Sequence, residues 1–517
     1  MRNLLVSLVA LSLLTPAWAG SPEVAQAASP AEGAPASVVG EAATPGLAAS
    51  LATLPTMPVF SRSSIALEVV NAATGERVYA YGDDKALLPA STMKLVTSAV
   101  ALRELGPAYR FPTWVKYQGE LGANGVLTGN LHIVGQGDPT MVVERMWKMI
   151  ADIQARGVAE IDGDVVFDGS YMAGEGVWVP GWSKAEDLER GDVYYAALGA
   201  LSLNYNVAAI VVRPGATVGG PALAEFDTPS GVLVLENQLT TGRARSKYWV
   251  KVERKLDEAG KVGTYTLTGN VPVDLDADHP PIYRTLADPT GHYVSVFRAL
   301  AASQGIKVKG KFRLGAAPAE SKLLLKVESD RLVEIIADMN KQSNNFIAEQ
   351  VLRAVAAERA GLPGTTEKGA RLLGDYLASL GVAADRYRFV NGSGLSRDIQ
   401  LAPSALDAVL VDMHRNHDLG PEYAATLAVG GRDGTLWHRF RDDGMEGRVR
   451  AKTGSLAGVF CLAGYVAGTD GTEYAFSFFV NDLEGSTTRA RDAHDQLVRV
   501  LSGVTGSLAE ADVGQGD

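Results

Sequence analysis

Ser91 and Lys94 form the only S-x-x-K in the chain. On a helix, residues three apart share a face, so the lysine amine can reach the serine hydroxyl and take its proton. That step needs a neutral lysine. Burial or a second cation nearby would bring its pKa down from the ordinary value of about 10.4. A serine opening a helix also gains from the positive end of the helix dipole as its alkoxide develops. Alone, the pattern also fits a capping serine followed by a surface lysine.

Two further patterns supply what acyl transfer would still lack. Ser343-Asn344-Asn345 is an S-x-N, in which Ser343 can relay a proton and Asn345 can hold a substrate amide. Ser202-Leu203-Asn204 has the same form, and either could be a turn or a helix cap. Ser343 is preferred because it precedes a helical apolar spacing at Phe346, Ile347, Val351 and Leu352. Lys452-Thr453-Gly454-Ser455 contains the only K-T-G and is expected to end a strand over 448–452. Lys452 and Thr453 could bind a terminal carboxylate. Gly454 would let backbone approach a ligand closely, and the N–H groups of Ser455 and Ser91 could form an oxyanion hole.

Other chemistries find little support. The chain has no G-x-S-x-G, H-E-x-x-H, Walker loop or G-x-G-x-x-G. His414 and His417 form an H-x-x-H that reads as a basic helix face rather than a metal site. Asp138 reads as a turn residue. Cys461, the single cysteine, lies in an apolar run and reads as inert core. No metal and no cofactor are expected.

The elements that must position these residues form two textures. A hairpin over 64–81 turns at Ala73-Thr74-Gly75, and a helix runs from about Ser91 to Leu105, stopped by Gly106-Pro107. Residues 109 to about 285 read as short strands at 131–134, 163–167, 207–212, 248–252 and 264–267. Helices return at 332–340 and 345–358, strands at 448–452, 459–466 and 474–480, and a last helix at 487–501. This implies an α+β fold, an antiparallel sheet with helices, split by a large β-rich insertion.

The 517 residues allow two or three domains. A net charge of −11, from 48 basic and 59 acidic residues, argues against a nucleic-acid partner. Residues 1–19 read as a secretory signal: Arg2, an apolar run over 4–14, and Ala17-Trp18-Ala19 before a cleavage at Gly20. Ala25-Gln26-Ala27 offers a second cleavage site. An uncleaved anchor is the alternative, although the run is short for a bilayer. Residues 20–57 have the Ala/Pro-rich composition of a disordered linker, and 503–517 that of a frayed acidic tail.

In order and placement, the three motifs make the chain resemble the class C low-molecular-mass penicillin-binding proteins, which are D-Ala-D-Ala carboxypeptidases and endopeptidases. The similarity extends over about 58–502. It takes in Val134-Gly135-Gln136-Gly137-Asp138-Pro139-Thr140, Ala200-Leu201-Ser202-Leu203-Asn204-Tyr205-Asn206, Gly392-Ser393-Gly394-Leu395-Ser396-Arg397 and Gly434-Thr435-Leu436. The resemblance implies a penicillin-binding, β-lactamase-like domain at 58–108 and 321–502, with two inserted domains in 109–320. It further implies a periplasmic enzyme that acts on peptidoglycan peptides through Ser91, Lys94, Ser343, Asn345 and Lys452, and is acylated by β-lactams. Two positions depart from the family pattern. Asn344 and Asn391 stand where Asp is frequent, and each removes a charge near the implied site. A β-lactamase and a non-catalytic wall-binding protein are the alternatives. The long separation of Ser91 from Ser343 disfavours the first, and the intact motif residues disfavour the second.

Overall fold

The computed structural model describes residues 37–39, 45–173, 179–182, 191–442 and 444–504. The expected signal at 1–19 lies outside them, as does most of the expected tail.

A seven-stranded sheet organises the domain built from the two ends of the chain. Its order is Ser37–Val39, Arg77–Tyr81, Ser64–Asn71, Glu473–Asn481, Val459–Ala467, Val449–Leu456 and Ala428–Val429, antiparallel throughout. Successive side chains on a strand point to opposite faces. Cys461, Ala463, Tyr465 and Phe479 pack with the helices Lys94–Leu105, Asn345–Ala360 and Pro403–Arg415. Leu462, Val466, Phe476, Phe478 and Val480 pack with the helix Thr487–Ser502 on the other side. Burial on both faces explains why the central strands read as unbroken apolar runs. It also leaves Cys461 buried, with its thiol pushed well above the ordinary range.

The insertion builds two further bodies. One is a five-stranded sheet ordered Phe312–Leu314, Val165–Asp168, Leu131–Gly135, Pro112–Tyr117 and Lys322–Glu328. The helices Val143–Ala155 and Pro289–Ser303 cover its apolar face through Met146, Ile150, Tyr293 and Phe297. The other lies within 207–285. There two three-stranded sheets enclose Ile210, Leu239, Tyr265 and Leu267.

Four expectations need correction. The linker reading of 20–57 fails at its C-terminal end, where the helix Pro45–Thr53 runs into a 3-10 turn at Leu54–Thr56, and Leu51 and Leu54 are fully buried in the sheet's second core. Alanine-rich composition fits a helix as well as a linker, and only tertiary packing separates the two. The boundary at 320/321 is also displaced, since Lys322–Glu328 pairs antiparallel with Pro112–Tyr117 and belongs to the insertion. The insertion is not wholly separate either. Tyr171, Met172, Val179, Trp182, Ala196 and Leu198 sit in the core between the seven-stranded sheet and its helices. Finally, the helix expected from Ser91 begins as a 3-10 turn, Ala90–Met93, and becomes α-helical at Lys94. Among the described residues, no helix is long and apolar enough to cross a membrane.

Candidate active site

Ser91 lies in that 3-10 turn, which is pinned by Thr92, whose N–H and hydroxyl both donate to the Pro89 carbonyl, at 3.2 and 2.6 Å. Ser91 therefore caps nothing, and Lys94 is no surface lysine, being fully buried. Its Nζ lies 3.0 Å from Ser91 Oγ, 2.7 Å from Asn345 Oδ1 and 2.7 Å from the Ser393 carbonyl oxygen. A neutral amine has two N–H donors and one lone pair. The two carbonyl-type oxygens can accept only, so they take the N–H groups, and the lone pair is left for the Ser91 hydroxyl. Burial brings the Lys94 pKa down to about 7, against the opposing pull of the Glu349 carboxylate. Near neutral pH the amine is thus available as a base.

The S-x-N residues bridge the two lysines. Lys452 Nζ donates to Ser343 Oγ at 2.9 Å and to the Thr453 carbonyl at 2.8 Å. Ser343 has φ 58°, a left-handed conformation uncommon outside glycine. Its neighbours hold it there. Asn344 N–H donates to the Met339 carbonyl at 3.0 Å, and Asn344 Oδ1 caps the next helix by accepting from Ile347 N–H at 3.0 Å. An aspartate would cap equally well, so the Asn344 departure alters charge and leaves the local fold intact. Asn345 Nδ2 reaches the Tyr194 carbonyl at 3.3 Å. One N–H and one acceptor lone pair of its amide remain for a ligand.

Lys452-Thr453-Gly454-Ser455 lies inside the strand Val449–Leu456, not at its end, paired in register with Ala463 to Phe460. On its outer side the strand pairs with Ala428–Val429 only as far as Arg450 and Ala451. Beyond that point, no strand pairs with this edge among the described residues. A Cβ on Gly454 would lie 2.7 Å from the Pro89 carbonyl oxygen and 3.1 Å from Ala90 Cβ. The glycine is therefore required by the Ser91 turn itself. Thr453 Oγ1 meets Thr435 Oγ1 at 2.9 Å, which brings Gly434-Thr435-Leu436 to the site. Lys452 is fully buried; burial, and then the Lys94 charge, hold its pKa well below the lysine range. When Lys94 is neutral that repulsion disappears, so the pair favours one shared positive charge over two.

All five expected catalytic residues come together, with Thr453, Gly454 and Ser455 on the adjoining strand. The second S-x-N does not join them. Ser202 Oγ donates to the Gly199 carbonyl at 2.9 Å and accepts from Asn206 Nδ2 at 3.0 Å, a structural network. His414 pairs with Glu473 at 3.0 Å, and Asp138 closes a turn onto Thr140. The motifs did not single out Glu349, Ser393, Thr435 or Tyr194. In the sequence, Gly392-Ser393-Gly394 and Gly434-Thr435-Leu436 stand out only as segments of family likeness. Asn391 is fully buried and uses its amide both ways: Nδ2 donates to the Pro180 carbonyl at 3.1 Å, and Oδ1 accepts from Gly394 N–H at 3.2 Å.

The model of the D-Ala-D-Ala carboxypeptidase 3 (S13) family matches residues 47–504. The chain belongs to that family. By family it is a D-Ala-D-Ala carboxypeptidase, as the resemblance drawn from the three motifs implied. A D-alanyl-D-alanine carboxypeptidase of Actinomadura sp. is 34% identical over 436 residues, which cover 81% of this chain and 77% of that one. The D-alanyl-D-alanine carboxypeptidase DacB of Haemophilus influenzae is 27% identical, covering 79% and 85%. The crystal structure of penicillin binding protein 4 (dacB) from Haemophilus influenzae superposes with a TM-score of 0.74 at 24% identity, covering 88% of this chain and 98% of that one. The fold is accordingly that of a penicillin-binding protein, with the α+β architecture expected.

Proposed function

We propose that Ser91 is the acylated nucleophile of a periplasmic carboxypeptidase that trims D-Ala-D-Ala ends of peptidoglycan stem peptides and opens their cross-links. The observation that carries this is the buried Lys94 amine, 3.0 Å from Ser91 Oγ and with its N–H groups committed elsewhere. Lys94 takes the hydroxyl proton as Oγ attacks the carbonyl between the two D-alanines. The N–H groups of Ser91 and Ser455 receive the developing oxyanion. Ser343, held by Lys452, passes a proton to the leaving amine, and the C–N bond breaks. Asn345 orients the acyl-side peptide with its remaining amide capacity. Lys452 and Thr453 face the terminal carboxylate on the unpaired strand edge. Water then cleaves the Ser91 ester and restores the hydroxyl.

A β-lactam presents a strained amide to the same serine and forms an ester that persists. The leader-like residues 1–19 support export, and the family supports a site of action at the cell wall. Fluorescent penicillin applied to the mature protein and to Ser91→Ala, followed by intact mass, tests this reading. A lasting adduct of one ring-opened penicillin is expected on the parent and none on the variant. Normal labelling of Ser91→Ala overturns it. Rapid destruction of penicillin with no adduct would instead make the protein a β-lactamase.

A further inference from the structure

Lys94 is oriented by two oxygens, and one of them is a backbone carbonyl in a loop 299 residues away in sequence. A loop carbonyl is a poor fixed point unless something fixes the loop. Here Glu349 does so. It lies four residues beyond Asn345, one turn along the helix Asn345–Ala360, and is completely buried. Its Oε1 accepts from Ser393 N–H at 2.7 Å and from Gly392 N–H at 3.1 Å, and its Oε2 is 3.2 Å from the same Gly392 nitrogen. The peptide units of Gly392 and Ser393 are thereby tied from below. On their far side, the Gly392 carbonyl accepts from Thr97 Oγ1 at 2.7 Å, and the Ser393 carbonyl accepts from Lys94 Nζ.

We propose that Glu349 is a positioning residue for the acylation step: its carboxylate clamps Gly392 and Ser393 so that the Ser393 carbonyl claims one Lys94 N–H and turns the amine lone pair toward Ser91. One helix then supplies both of the lysine's acceptors, Asn345 directly and Ser393 through Glu349. A carboxylate suits this role because it only accepts, and two adjacent peptide N–H groups face it. Burial pushes the Glu349 carboxyl above the usual carboxylate range, and the Ser393 and Gly392 hydrogen bonds and the Lys94 charge oppose that and favour the anion. In that form Glu349 also acts on Lys94 through charge, since a buried anion nearby favours the ammonium. The charged groups around Lys94 and Glu349 are Lys452 on the K-T-G strand and Arg353 one turn further along the same helix. Arg353 is committed to Thr366 Oγ1 and the Ala173 carbonyl, at 3.1 and 3.3 Å. Glu349 is therefore the nearby group whose loss makes Lys94 easier to deprotonate.

The inference rests on Lys94 being the base for Ser91, and its test separates the two. The second-order rate of penicillin acylation is measured from pH 5 to 9 for the full mature protein, Glu349→Gln and Glu349→Asp, with thermal unfolding of each. For Glu349→Gln a fall of about a hundredfold on the alkaline plateau is expected, the scale of a misplaced reacting group. Its acidic limb should move to lower pH, because the anion that favoured protonated Lys94 is gone. Glu349→Asp keeps the charge, so its limb should stay near the parent's while its plateau falls. A parent that acylates with an acidic limb near pH 7, beside a Glu349→Gln variant that keeps the parent's alkaline plateau, overturns the clamp and leaves Lys94 as base. A parent with no acidic limb at all overturns the role of Lys94, and the clamp with it.

Discussion

Lys94 has three oxygens within hydrogen-bond reach and no exposed surface, so its protonation state decides whether a lone pair can face the Ser91 hydroxyl. Below about pH 7 the buried amine is an ammonium, all three N–H groups are donated, and no lone pair faces the hydroxyl. Above that pH the lone pair is free. Acylation by penicillin should therefore rise with unit slope up to about pH 7 and then level off. Lys94→Arg should abolish it at every pH, because a guanidinium stays charged. A rate flat from pH 5 to 8 in the parent would assign the proton to another group. At this scale the sequence was informative where chemistry is written in short spacings. Ser91, Lys94, Ser343, Asn345 and Lys452 all lie in motifs. Glu349, Ser393 and Tyr194 act through backbone groups of distant segments, and no local pattern announces that.

Between elements, the contact that matters is the one between the K-T-G strand and the Ser91 turn. The apolar alternation of Val449 and Ala451 breaks off at Lys452, ahead of Thr453-Gly454-Ser455, which is why the residues read as a strand end. The ladder continues because backbone pairing does not depend on side-chain polarity, and Lys452 to Ser455 remain in register with the next strand. Gly454 sets the distance at which that strand crosses the turn. In Gly454→Ala the new methyl would press on the Pro89 carbonyl and on the Ala90 and Cys461 Cβ atoms. The obstacles are backbone and short side chains, so the turn itself must yield and Ser91 must move relative to Ser455. Acylation should fall by about a hundredfold while the far-UV spectrum is kept. Parent-like acylation in this variant would mean that the spacing is not set here. A helix beginning at Ser91 was likewise legible, but its first turn was not. The 3-10 geometry is imposed by Ala90, at φ 46°, and by Gly394, whose Cβ would sit 1.9 Å from the Ala90 carbonyl oxygen.

For the whole molecule, the hairpin, the three C-terminal strands and the split by a β-rich insertion could be read from periodicity, since each buries a continuous face. The edges of the domains could not. Lys322–Glu328 joins the insertion through pairing with a strand about 200 residues earlier, and Pro45–Thr53 joins the catalytic domain by packing alone. That helix provides the last prediction. Leu51 and Leu54 are completely buried beside Leu67, Phe478 and Leu497, which face the sheet side opposite the active site. A chain shortened to begin at residue 58, as the linker reading would suggest, uncovers this core, whereas one beginning at residue 45 keeps it. The point variant Leu51→Ala should cost about 2–5 kcal/mol, the range for emptying a buried leucine site. The chain beginning at 58 should lose at least as much. Both losses appear as a lower denaturant midpoint, read by fluorescence. Penicillin acylation of the folded fraction should be unchanged, because the helix touches no residue of the site. If the chains beginning at 45 and 58 unfold at the same midpoint, the helix contributes nothing to the domain and the disordered linker extends to residue 57 after all.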